Sequence, residues 1–275
     1  MRAAVVGHVE WIEFGRVDHV PVAGEIVHVS ESWQEPAGGG PVAAMQLCKL
    51  AGAATLYTAL GDDETGHRTK EGLEALGLRV EAVLRSEPQR RGFVHIDRAG
   101  ERTITVIGSR LGPRAADPLP WRELAETDAV YFTAGDNGAA QAARQAGKLV
   151  STARGLSTLA EAGVQLDALV ASARDPGERY SPGDLEPPPL HVVRTAGAAG
   201  GEYESLDGDS GRWEAQPLPG PISDAYGCGD SFAAGLTFGL GSGLSIAEAA
   251  KLAARCGAAC LTGRGPYQGQ LRKRT

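Results

Sequence analysis

Short apolar runs recur along the chain, and most of them are too short to be helices. The first run covers residues 2–7 and ends in Gly7, and later runs lie at 54–60, 129–133, 149–152, 168–171 and 191–195. A run that is apolar at every position predicts a strand buried on both faces, as in a parallel sheet. Helical patterns lie between several of the runs, including 42–50 and, after a loop over 61–66, 69–76. This alternation predicts an α/β fold with a Rossmann-like, doubly wound and mainly parallel sheet.

Two segments depart from this alternation. Residues 11–35 mix β-branched and polar positions, and the runs 91–96 and 103–107 flank a short polar turn. Such patterns predict β-hairpins with one exposed face. We therefore predict a main α/β domain made of 1–10, 36–90 and 108–275, and a small β-sheet lid made of 11–35 and 91–107. The apolar face of 17–29 and 91–107 either joins two copies in a homodimer or folds over the site of a monomer.

Composition narrows the class of protein. The chain has 275 residues, 42% of them hydrophobic, with 27 Lys and Arg against 34 Asp and Glu. The resulting net charge of -7 argues against binding to nucleic acid or to an anionic membrane. The spacings of the four cysteines match neither a disulfide scaffold nor a paired zinc site. No signal peptide and no membrane-spanning run is recognisable, so we predict a cytoplasmic protein with a small-molecule partner.

A glycine-rich turn near the end of the chain carries the most informative chemistry. Gly227 and Gly229 precede a helical run that is apolar on nearly every face. The N–H groups of such a turn, at the positive end of the helix dipole, bind phosphate. Asp230 would face that anion, and accepting a proton from an attacking hydroxyl explains a carboxylate there. The alternative is an ordinary acidic residue at a helix N-terminus.

Four motifs, in this order, resemble the signatures of the ribokinase family of carbohydrate kinases, also called the PfkB family. They are G-G-G-P-V-A-A-M at 38–45, G-D-D-E-T-G at 61–66, T-A-G-A-A-G at 195–200 and D-A-Y-G-C-G-D at 224–230. The resemblance implies phosphoryl transfer from ATP, with Mg²⁺, to a hydroxyl of a small sugar, polyol or nucleoside.

The resemblance also implies roles for individual residues. Asp230 would be the general base, and the amides of Gly227, Cys228 and Gly229 would form an anion hole for the transferred phosphoryl group. The remaining assignments are Thr195, Gly197, Gly200 and Ser172 for the nucleotide, Gly39, Gly40, Glu10, Asp136 and Arg110 for the acceptor, and Asp175 and Asp224 for metal, the latter where many members hold a monovalent cation such as K⁺.

Three positions depart from the family pattern. Ala43 replaces an asparagine, Ile12 replaces an acid, and S-A-R-D at 172–175 replaces N-x-x-E. Since strand side chains alternate, Glu10 shares a face with Ile12 and is the candidate replacement. Because sugars are recognised through such hydrogen bonds, the identity of the acceptor stays open. A non-catalytic sugar- or nucleoside-binding protein on the same scaffold is the alternative, although the retained Asp230 favours an enzyme.

Two other enzyme classes fit less well. G-D-S at 229–231 is similar to the start of a lipase-like serine hydrolase, but no histidine follows Ser231 in the chain. Neither a G-x-x-x-x-G-K-[ST] loop nor a G-x-G-x-x-G fingerprint is present.

Overall fold

A computed structural model describes residues 1–273 of the chain. The strands of this part are β1 (Ala3–Val6), β2 (Glu10–Arg16), β3 (Glu31–Ala37), β4 (Thr55–Gly61), β5 (Arg79–Arg85), β6 (Arg91–Ile96), β7 (Arg102–Ile107), β8 (Ala129–Phe132), β9 (Lys148–Thr152), β10 (Ala168–Ser172), β11 (His191–Thr195), β12 (Gly201–Ser205) and β13 (Ser210–Trp213). The helices are α1 (Gly39–Ala51), α2 (Glu64–Ala75), α3 (Asn137–Ala143), α4 (Leu156–Ala162), α5 (Cys228–Gly241), α6 (Ile246–Cys260) and α7 (Gly265–Gln268).

The larger sheet has the strand order β13-β12-β11-β10-β9-β8-β1-β4-β5. The strands from β11 to β5 pair in parallel, whereas β12 and β13 form an antiparallel hairpin at the edge. The predicted α/β fold with a mainly parallel sheet is confirmed. The sequence prediction missed the edge strands β5, β12 and β13, because their many charged and polar residues hide the apolar pattern.

Helices cover both faces of this sheet. Side chains alternate along β1, so that Val5 points to the cluster containing α1, α5 and α6, while Ala4 and Val6 point to the cluster containing α3 and α4. This is the doubly wound arrangement, in which the carboxyl ends of the strands remain free of helices and open toward ligands. Across residues 1–273 we find no helix with the length and apolar character that a membrane crossing requires.

The smaller sheet has the order β3-β2-β6-β7. The predicted hairpin of β6 and β7 is observed, and β2 joins it in parallel through β6. The hairpin predicted within 11–35 is also observed: β2 and β3 pair antiparallel, and 17–30 is the loop between them. Pro21 interrupts this loop, and Val22 and Ile26 are 70% and 87% exposed, so their side chains gain no packing that would favour a strand.

The helix predicted over 69–76 begins earlier, at Glu64, because Asp63 caps it. Asp63 Oδ1 accepts a hydrogen bond from the Gly66 N–H at 2.7 Å, and Oδ2 accepts one from the Gln89 N–H at 3.0 Å. The side chain therefore satisfies one free helix donor and ties α2 to the segment before β6. The conspicuous acid of the 61–66 motif is thus structural in this fold.

Replacing Asp63 by Ala is expected to lower the free energy of unfolding by about 1–3 kcal/mol, since a helix cap and a second charged hydrogen bond are lost. Urea denaturation measures the difference. Asp62→Ala is the matched control, because that neighbouring side chain is 59% exposed and its Oδ1 lies 3.2 Å from Nε2 of the exposed His67. Equal stability of the two variants would contradict the capping role.

Candidate active site

A cavity of about 330 Å³ lies between the lid and the carboxyl ends of the central strands. Its floor comes from strand ends and from the loops after them, its roof from alternate residues of β7, and one wall from the start of α5. The lining residues that bear on function are His8, Glu10, Gly39, Arg102, Arg110, Thr133, Arg154, Glu178, Thr195, Gly227, Gly229 and Asp230. Sequence positions more than 200 residues apart thus meet in one place.

The N-terminus of α5 opens into this cavity. Gly227 adopts a left-handed conformation, with φ 78° and ψ 4°, which a β-carbon would disfavour. Within residues 1–273 no side chain caps the helix, and the first helical-type bond runs from the Ser231 N–H to the Gly227 carbonyl at 2.8 Å. Gly229 is exposed, and apart from its own helix backbone and chain neighbours no atom of this part of the chain lies within 4 Å of where its β-carbon would be. The backbone donors of this turn therefore remain available to an anion in the cavity.

Asp230 lies beside these donors. Burial, followed by the charge of Glu178, raises the pKa of its carboxyl group to about 6, against the opposing effect of Arg102 and Arg154. The Tyr131 hydroxyl donates to Asp230 Oδ1 at 3.4 Å. Such a carboxylate is ionised at neutral pH and more basic than an ordinary aspartate, which suits a general base.

The raised pKa of Asp230 predicts a pH-dependent stability. An ordinary aspartate has a pKa of 3.8, so the folded protein binds the proton of the Asp230 carboxyl group more tightly than the unfolded chain does. This tighter binding stabilises the fold below about pH 4, and the stabilisation is lost as the pH rises through 6. Asp230→Asn removes the free-energy cost of keeping a buried carboxylate ionised. We therefore expect its free energy of unfolding at pH 7.5 to exceed that of the wild type by about 1–3 kcal/mol.

Thermal and urea unfolding between pH 4 and 8 test this expectation. The advantage of Asp230→Asn should shrink as the pH approaches 4, whereas Asp207→Asn, on an exposed turn, should follow the wild type throughout. A stability difference between Asp230→Asn and the wild type that does not vary with pH would contradict the raised pKa of Asp230.

Two further titratable side chains line the cavity. Glu10 is buried and pairs with Arg90, with Oε1 and Nε 2.6 Å apart. His8 is also buried, and its Nδ1 has no hydrogen-bond partner in residues 1–273. Burial lowers the pKa of His8 to about 3, so the ring is neutral and can exchange hydrogen bonds with a bound hydroxyl. Glu10 was predicted from strand alternation, whereas a single histidine gave no sequence signal.

The cavity is also rich in arginine. Arg102 lies on the lid strand β7, Arg110 on the segment after it, and Arg154 follows β9. Arg154 forms ion pairs with Asp175 and Glu178. Only Arg110 was predicted, because the other two belong to local sequences with no recognisable motif.

Residues 2–176 and 188–273 match the pfkB family carbohydrate kinase model. The chain belongs to this family. The resemblance of the four motifs is therefore confirmed at the level of the family.

Two curated relatives match parts of this pfkB family chain. The ATP-dependent ribose-1-phosphate kinase of Halopiger xanaduensis is 30% identical over 162 residues, which are 55% of this chain and 53% of that protein. The ribokinase of Dictyostelium discoideum is 29% identical over 106 residues, 38% of this chain and 33% of that protein. The chain thus spans about half or less of the length of these relatives.

Solved structures share the fold over nearly the full length. A putative ribokinase from Agrobacterium tumefaciens superposes with a TM-score of 0.78 at 21% identity, covering 96% of this chain and 92% of that one. The Arabidopsis thaliana ribokinase complexed with ribose and ATP superposes with a TM-score of 0.73 at 18% identity, covering 97% and 95%. The ribokinase-like fold is confirmed.

The other residues assigned to the nucleotide lie around the end of β11. Thr195 lines the cavity, and its hydroxyl donates to the Ala171 carbonyl at 3.3 Å. Gly197 begins a 3₁₀ turn, and a β-carbon on Gly200 would lie 2.0 Å from the Trp213 carbonyl oxygen, so Gly200 allows close packing against β13. Ser172 caps the next turn, with Oγ accepting from the Asp175 N–H at 3.0 Å.

The two carboxylates assigned to metal lie apart from each other. Asp175 accepts from the Gly177 N–H at 2.8 Å and pairs with Arg154. Asp224 is buried behind the α5 turn and accepts from the N–H groups of Tyr226 and Gly265 at 2.8 and 3.0 Å. Neither lines the cavity, and residues 1–273 contain no group of three or more His, Cys, Asp and Glu arranged to hold a metal ion.

Two acceptor candidates have structural roles in the fold. Asp136 caps α3, its Oδ1 accepting from the Ala139 N–H at 2.7 Å, and it lines a neighbouring cavity instead. A β-carbon on Gly40 would lie 2.7 Å from the His8 carbonyl oxygen, so this glycine allows α1 to approach the chain after β1. Gly39 does line the site, where its missing β-carbon leaves room for Asp230.

Proposed function

We propose that this protein transfers the γ-phosphoryl group of ATP to a hydroxyl of a small sugar, polyol or nucleoside. The observation that carries the proposal is the position of Asp230, a carboxylate of raised pKa beside the uncapped N-terminus of α5. The kinase functions of the two relatives named above support it, as does the structural neighbour complexed with ribose and ATP.

The proposed step needs one base and one set of anion donors. The acceptor oxygen attacks the γ-phosphorus while its proton passes to Asp230, and the bond between the γ-phosphorus and the bridging oxygen breaks so that ADP leaves with the electron pair. The N–H groups of Gly227, Cys228 and Gly229 would stabilise charge on the transferred group. Arg102 lies close enough to Asp230 to lower its pKa, and so adds positive charge where the phosphoryl group passes.

The nucleotide would enter over the end of β11, beside Thr195. Mg²⁺ binds proteins mainly through one or two carboxylates together with substrate phosphates, and the separated acids of this site fit that mode better than an all-protein site. Glu178, which lines the cavity, and Asp175, held beside it by Arg154, would receive the ion. The ion would neutralise charge on the phosphates. The backbone around Asp224 remains our proposed location for K⁺.

The acceptor would lie between Asp230 and the pair His8 and Glu10. Ile12 and Ala43, two of the three departures from the family pattern, are fully buried in the core and do not line the cavity. Acceptor hydroxyls would therefore be recognised by His8 and Glu10.

A panel of sugars, polyols and nucleosides with ATP and Mg²⁺, followed by ADP release, tests the function. We expect turnover with at least one acceptor. If ligands bind but none is phosphorylated, the protein is a binding protein on the kinase scaffold, the alternative to this proposal.

We also propose that the lid forms a homodimer, supported by the exposed apolar side chains of Val22, Ile26 and Val29. Ile104 and Val106 of β7 are also exposed, but they line the cavity. Light scattering should give twice the chain mass of 28.5 kDa. A mass of one chain at working concentration would refute the dimer.

A further inference from the structure

A second cavity adjoins the site and has no role in the transfer step described above. Its volume is about 490 Å³, and it shares Arg110, Thr133 and Arg154 with the first cavity. The rest of its wall comes from the segment 109–114 after β7, the loop after β8 and the beginning of α4. A ligand that starts at Asp230 can therefore continue past Arg110 into this space.

The wall of the second cavity is held in place by hydrogen bonds. The Asp136 N–H donates to the Pro113 carbonyl at 3.2 Å, and Arg85 donates to the Gly112 carbonyl at 3.4 Å. The Arg114 N–H donates to Asp117 Oδ2 at 2.6 Å. The segment that carries Arg110 and Arg114 is therefore fixed before any ligand binds, which lowers the entropic cost of binding.

Some arginines of this cavity form ion pairs with carboxylates, and others do not. Arg85 pairs with Asp117 at 2.6 Å, and Arg154 pairs with Asp175 and Glu178. By contrast, the guanidinium groups of Arg110 and Arg114 have neither an ion pair nor a hydrogen bond within residues 1–273.

Free guanidinium groups at a concave surface suit a phosphate group, because their donors match its oxygens in pairs. The hydroxyls of Ser157 and Thr158, also on the wall, can donate to the same kind of ligand. The carboxylate of Asp136 is engaged by two backbone N–H groups, of Ala139 and Ala115. Glu87 also lines the wall, and within residues 1–273 its carboxylate accepts only from the Ser86 hydroxyl. In this part of the chain, the charged groups of the wall with neither an ion pair nor a backbone N–H partner are therefore two guanidiniums and one carboxylate, and their sum is positive.

We infer that the acceptor is a sugar that already carries a phosphate ester, and that Arg110 and Arg114 bind this ester in the second cavity. The inference rests on the proposed function. The ester is not altered in the reaction: the new bond forms between a free hydroxyl and the γ-phosphorus, the proton goes to Asp230, and ADP leaves. The positive cavity selects the acceptor by its charge and directs its hydroxyl toward the base.

Matched acceptors test the inference: ribose against ribose 1-phosphate and ribose 5-phosphate, each with ATP and Mg²⁺. The wild type should use at least one ester with a kcat/KM at least about tenfold above that of ribose, since a charged hydrogen bond contributes that much or more. Arg110→Ala and Arg114→Ala should each raise KM for that ester about ten- to hundredfold, with little change in KM for ATP. Arg98→Ala is the control, because Arg98 lies on the lid in an exposed ion pair with Asp18.

Calorimetric titration of the ATP-free protein with the same three compounds separates this inference from the proposed function. Ester binding that is weakened in Arg110→Ala, and partly restored in Arg110→Lys, supports the inference even if no acceptor is phosphorylated. Turnover of ribose equal to that of both esters overturns the inference and leaves the kinase function intact. A wild type that binds neither ester at millimolar concentration also overturns it.

Discussion

Asp230→Asn is expected to lower kcat by about 10²–10⁴-fold, because the amide cannot accept the proton of the attacking hydroxyl. The substitution keeps the shape of the side chain and its hydrogen bond from Tyr131, so the cavity should be preserved. Steady-state kinetics with the best acceptor of the panel measures the loss, and calorimetry with ATP should show nucleotide affinity close to that of the wild type.

The position of the acid, and not merely the loss of a negative charge, should cause this effect. Asp207→Asn removes a carboxylate on an exposed turn that does not line the cavity. We expect its kcat to fall by less than that of Asp230→Asn. A kcat of Asp230→Asn within a factor of three of the wild type would exclude Asp230 as the base, and a loss of ATP binding would show a structural defect instead.

Gly39→Ala is expected to lower kcat by about 100-fold while the protein still folds. A β-carbon at Gly39 would lie 2.9 Å from Asp230 Oδ1 and 2.9 Å from Thr133 Oγ1, closer than such atoms normally approach. Since Gly39 begins α1, the carboxylate must move away from the acceptor, and a displacement of about 1 Å in a reacting group costs about that factor. The effect should appear mainly in kcat, because the anion donors of α5 are untouched.

Gly257→Ala is the matched control for this substitution. Gly257 lies within α6, and its β-carbon would meet the nearest atom at an ordinary 3.4 Å. Alanine favours helix, so we expect unchanged kinetics and equal or slightly higher stability. If Gly39→Ala keeps full activity, Asp230 and Gly39 are not in contact during the reaction.

The two signals that the sequence carried best were both local. The turn at 224–230 and the following apolar helix are contiguous, so Gly227, Gly229 and Asp230 could be identified as neighbours without any tertiary information. The runs that became β8 to β11 were recognisable for the same reason, since burial on both faces of a parallel sheet requires apolar residues throughout a strand. Where burial is only partial, as at β5, the pattern was missed.

Functional roles assigned to single residues from the sequence were less reliable than those assigned from contiguous motifs. Asp136 and Gly40 lie at the ends of elements where they were expected, but their roles are structural. The Asp136 carboxylate caps α3, and the missing side chain of Gly40 allows close packing. Sequence shows that a carboxylate is present at a strand end. It does not show whether backbone N–H groups already occupy that carboxylate.

The sequence by itself determined the α/β alternation, the α5 turn and membership of the pfkB family, because each depends on residues adjacent in the chain. Only the tertiary structure decided which side chains face the reacting group. His8, Arg102, Arg110, Arg154 and Asp230 come from five separate segments, and they meet because the strand order brings β1, β8, β9 and β11 to one edge beneath β7. Contacts between distant segments depend on strand order and burial, which local periodicity does not encode, so the cavity and its charge appear only in the folded chain.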